Sequence, residues 1–66
     1  MTQEQKTRIN DLKLQLIESL MENQEYSRTQ AHLTVDELLK NYEEDIKWGE
    51  IGMLERDMKI YIKYGL

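Results

Sequence analysis

The sequence predicts an all-α fold: one domain of three helices, residues 1–66, associating as a helical dimer. Three observations carry that expectation. Proline is absent and the three glycines, Gly49, Gly52 and Gly65, all fall in the last third, so nothing in the first two thirds interrupts a long helix. Apolar residues recur at spacings of three and four along most of the chain, the period of a helix with one face on a core. The run Leu33-Thr34-Val35-Asp36-Glu37-Leu38 also carries two helix-start signals together. Thr34 and Glu37 suit a capping box, in which side chain and backbone satisfy each other's donors, and Leu33 and Leu38 suit a hydrophobic staple.

The first helix runs from Thr2 to Asn23. Ile9, Leu12, Leu16, Ile17 and Leu20 lie at helical spacing among good helix formers. With Leu14 and Met21 added, the apolar arc reaches roughly 200°, about twice the width of a one-sided stripe. A single helical neighbour would not cover it. Asn23 to His32 is polar, with Tyr26 and Ala31 its only apolar residues, and reads as a loop or the frayed end of the first helix.

The second helix begins after the Thr34 cap and runs from Val35 to Trp48. Val35, Leu38, Leu39, Tyr42 and Ile46 fall within about 100° of arc, a clean one-sided face. Trp48 to Gly52 ends that helix and turns the chain.

The third helix spans Glu50 to Tyr64, with Ile51, Leu54, Met58, Tyr61 and Ile62 as a core stripe and Gly65 as its cap. Residues 58–64 also alternate at period two. A helix is the better reading, because the chain has no second strand and a lone strand leaves its backbone edge unpaired.

The chain is small for its core. A domain of this length buries only about 60% of its unfolded surface, and such cores rarely supply more than roughly 3 to 5 kcal/mol. Disulfides are excluded because there is no cysteine, and one histidine cannot make a structural zinc site. Self-association is the remaining device. The lack of cysteine and of a leader-like opening makes a cytoplasmic setting the expectation. No apolar run approaches the roughly 20 residues that cross a bilayer.

No catalytic, cofactor or nucleotide-binding motif is present, so a non-enzymatic role without cofactor or metal is expected. His32 and Asp36 are four apart, but with no further Cys or His they read as a surface histidine beside a carboxylate. Glu18, Glu22 and Glu25 form a solvated acidic face and lack the Glu-x-x-His spacing of a di-iron bundle.

Candidate contact residues lie off the core stripes. Leu14 and Met21 widen the first helix's arc. Met53, Ile60 and Tyr64 form a second apolar stripe on the last helix, and Trp48 lies off the second helix's face. The plainest arrangement packs Trp48 under the turn and lays the terminal tyrosines on the first helix. Aromatics that escape a core are enriched at interfaces, however.

Arg56, Lys59 and Lys63 form a basic stripe, which raises a helix-turn-helix reading with DNA as partner. Glu55 and Asp57 beside it, and a net charge of −4, argue against that reading. Glu55 is also placed for a helical ion pair with Lys59. Glu43, Glu44, Asp45 and Glu50 raise the opposite idea, an acidic mimic of DNA.

In length, acidity and helical patterning the chain resembles the small phage and bacterial regulators that bind a larger host protein, although no single motif carries the likeness. The expected function is a protein-interaction module, a small regulator or inhibitor acting through its helix surfaces as a homodimer.

Overall fold

The computed structural model describes Met1–Leu66 as four helices and no strands: α1 Gln3–Asn23, α2 Arg28–Lys40, α3 Glu43–Trp48 and α4 Gly52–Tyr64. Helix α1 is the spine, and both α2 and α4 pack on it. Two neighbours, not one, cover its wide arc. Ile9, Leu12, Leu16, Ile17 and Leu20 are buried in one cluster with Ala31, Val35, Ile51, Leu54 and Met58. Much of the apolar surplus expected to drive association is therefore used inside the chain. Of the residues that widened the arc, Leu14 stays exposed and Met21 packs partly against the core.

Helix α1 is capped by Thr2 and its first helical residue is Gln3, within one residue of the start the sequence indicates. The Thr2 hydroxyl accepts from the Gln5 N–H at 3.1 Å, and Gln5 Oε1 accepts from the Thr2 N–H at 3.0 Å, a reciprocal box. The same Gln5 side chain donates through Nε2 to the Gly49 carbonyl at 3.0 Å. One residue thus caps α1 and ties it to the end of α3.

The expected start of the second helix is wrong. Helix α2 begins seven residues before Val35, at Arg28, after Ser27 accepts from the Gln30 N–H at 3.2 Å. Thr34 lies inside the helix and its hydroxyl donates to the Gln30 carbonyl at 2.8 Å, the back-bonding that mid-helix threonines make. Leu33 is exposed and makes no staple. The physical reason is burial: Ala31 and Val35, four apart, are both fully enclosed, and only a helix running through both sets them on one face. A cap at Thr34 would give up the Ala31 contact, and Ser27 caps equally well upstream.

The expected single helix Val35–Trp48 is also corrected. It breaks after Lys40, where Asn41 and Tyr42 donate to the carbonyls of Leu38 and Leu39 at 3.1 and 3.0 Å, the tighter turn of a helix end. Tyr42 then starts the short α3. Glu43, Glu44 and Asp45 stand in its first turn, where carboxylates meet the positive end of the backbone dipoles.

The turn expected at Trp48–Gly52 is present. Gly49 adopts φ 72°, and the Gly49 and Glu50 N–H groups return to Ile46 and Asp45, a left-handed closure that glycine makes without a Cβ penalty. Helix α4 starts at Gly52, not Glu50, and residues 58–64 are helical throughout. Its far end is fixed by the Ser19 hydroxyl, which donates to the Ile62 carbonyl at 3.1 Å.

Candidate protein-interaction surface

Because Ile51, Leu54 and Met58 turn inward, α4 must present the opposite side to solvent. Met53, Ile60 and Tyr64 lie on that outward side, all exposed. Their spacings of seven and four align them into one strip. Trp48, one residue before the Gly49 turn, is 71% exposed. It does not pack beneath the turn, so that expectation is corrected: Trp48 ends α3, a short helix that has no buried residue. Nor do both terminal tyrosines cover α1, since Tyr61 is half-buried while Tyr64 is 74% exposed. Lys47 and Lys63 set their ammonium groups 5.6 and 5.3 Å from the Trp48 and Tyr64 ring centres, within reach of a cation–π attraction.

Of the six contact candidates, Leu14, Trp48, Met53, Ile60 and Tyr64 are in solvent and Met21 is only partly so. The strip on α4 unites three of them. Leu14 stands apart from it, on α1.

The charges around the strip differ from their sequence pattern. Glu55 does not pair with Lys59. It is buried, and Arg8 of α1 holds it, with Nη2 2.7 Å from each carboxylate oxygen. That hydrogen bond, then the opposite charge, raises the Arg8 guanidinium pKa further above its ordinary value. Asp57 is also withdrawn, its side chain only 18% exposed. It accepts from the Tyr42 hydroxyl, and Arg56 Nη2 lies 3.4 Å from its other oxygen. The Asp57 hydrogen bond, with burial behind it, pushes the Tyr42 phenol up to about 12.

Arg56, Lys59 and Lys63 all remain exposed. The outward side of α4 therefore carries three apolar side chains and three cations, and both of its carboxylates are withdrawn. Sequence order alone placed Glu55 and Asp57 beside the basic stripe and could not show this. The sequence pattern pairs Glu55 with Lys59 on the surface, whereas the side chain is buried. Its Arg8 partner and the Tyr42–Asp57 contact depend on helix placement.

Between α1 and α4 runs an open, mostly polar groove lined by Arg8, Asp11, Leu12, Gln15, Glu55 and Lys59. It holds no nucleophile with a base beside it. Asp36 lies 3.8 Å from Lys13, and no three His, Cys, Asp or Glu side chains gather as a metal site. No helix is long and apolar enough to cross a membrane. Compared with protein-family models, with curated proteins and with solved structures, the chain matches none.

Proposed function

We propose that this protein is a non-enzymatic interaction module, a small regulator or inhibitor that binds a larger protein through its helix surfaces and associates with itself. The observation that carries the reading is the set of large apolar side chains left in solvent: Trp48 at the end of α3, Met53, Ile60 and Tyr64 along α4, and Leu14 on α1. Single exposed apolar residues are ordinary, but an aligned strip of Met, Ile and Tyr has the composition of interface cores.

Sedimentation equilibrium at micromolar concentration tests the self-association. A dimer that Trp48→Ala or Leu14→Ser converts to monomer supports it; a strict monomer across the range rejects it. One observation favours a second reading, a DNA-binding regulator: the exposed charges of α4 are all cations. That reading requires duplex retardation that falls steeply with salt and with Arg56→Ala or Lys59→Ala.

A further inference from the structure

We infer that the outward face of α4 docks an acidic amphipathic helix of another protein. The inference rests on the interaction-module reading and names the partner's chemistry. Met53, Ile60 and Tyr64 supply an apolar strip long enough to meet two turns of a partner helix. Arg56, Lys59 and Lys63 flank it on one side, so the complementary ligand has apolar residues on one face and carboxylates beside them. Nothing on α4 repels such a ligand. Glu55 is held by Arg8, and Asp57 by Tyr42 and Arg56.

The face is the exception on an acidic molecule, since α4 is net positive in a chain of net charge −4. That contrast orients a partner and excludes basic ones. Duplex DNA is a poorer occupant because it leaves the three apolar side chains Met53, Ile60 and Tyr64 facing phosphates. A second copy is also poorer. Antiparallel pairing of two α4 faces about a two-fold axis sets each basic flank against itself.

The test uses the full chain and two synthetic helical peptides that share one leucine face, one with glutamate on the remaining positions and one with lysine. Amide NMR shifts report where each binds. The glutamate peptide is expected to move the signals of Met53–Tyr64 and to bind about tenfold or more tightly than its lysine twin. The exposed double variant Lys59→Glu/Lys63→Glu should reverse that preference, and Ile60→Ser should weaken both peptides. Equal affinities, shifts away from α4, no binding, an unreversed preference, or tighter binding of a duplex would each overturn the proposal. The two readings fail separately. Self-association without peptide binding removes only the acidic partner, whereas peptide binding by a strict monomer removes only the dimer.

Discussion

Arg8 and Glu55 lie 47 residues apart in sequence and meet at 2.7 Å, and their exposures are unequal. The Arg8 side chain is 53% exposed while that of Glu55 is 11%. Removing the arginine strands a carboxylate in the interior, which costs more than the pair itself contributes. Arg8→Ala should therefore lower the urea midpoint clearly more than Arg56→Ala, which leaves Asp57 its hydrogen bond from Tyr42; equal midpoints would refute it.

Tyr42 gives a pH dependence. Its folded pKa lies above the ordinary value of 10.0, at about 12, so the neutral phenol is favoured by folding. That contribution is complete below about pH 10, declines as pH rises toward 12, and is absent above it. In an alkaline titration one of the four tyrosines should ionise about two pH units later than a free phenol. Tyr42→Phe should abolish the late step, and a late step that persists would assign it elsewhere.

The helix boundaries make their own predictions. Ser27 caps α2 and Thr34 does not, so Ser27→Ala should cost about 1 kcal/mol in urea unfolding and Thr34→Ala should change little. The reverse ranking would restore Thr34 as the cap. Gly49 closes α3 at φ 72°, with the position of an added Cβ 3.4 Å from Gln5 Oε1. Gly49→Ala should cost roughly 1 to 2 kcal/mol from the left-handed backbone alone. The second-helix error belongs to this scale as well. Capping signals are local and short-ranged, so a sequence can carry several candidates at Ser27 and Thr34; whether Ala31 is buried decides between them.

At the scale of the whole molecule the core is thin. Leu16 has no exposed surface and sits where α1 meets its neighbours. Leu16→Ala should cost about 2 to 5 kcal/mol, comparable with the roughly 3 to 5 kcal/mol that such a core supplies. Far-UV circular dichroism should then show a largely unfolded chain at ambient temperature, and a folded variant with an unchanged midpoint would contradict the core assignment. If the protein self-associates, the thermal midpoint should rise with protein concentration.

The sequence by itself determined the helical class, the span of α1 to within one residue, the turn at Gly49 and the inward residues of α4, because these follow from periodicity, the absence of proline and local backbone chemistry. It also set Met53, Ile60 and Tyr64 on a second stripe of α4, but its plainest arrangement put Trp48 under the turn, and only the tertiary structure leaves that indole in solvent. Only the tertiary structure decided where α2 begins, that the chain breaks at Asn41–Tyr42, and that α2 and α4 together cover the arc of α1. It alone also turned Glu55 toward Arg8 and Asp57 toward Tyr42, leaving α4 with a cationic and apolar outward face. The physical reason is range. Caps and periodicity act within a turn or two, whereas burial of Ala31 and pairing across 47 residues depend on which helices meet.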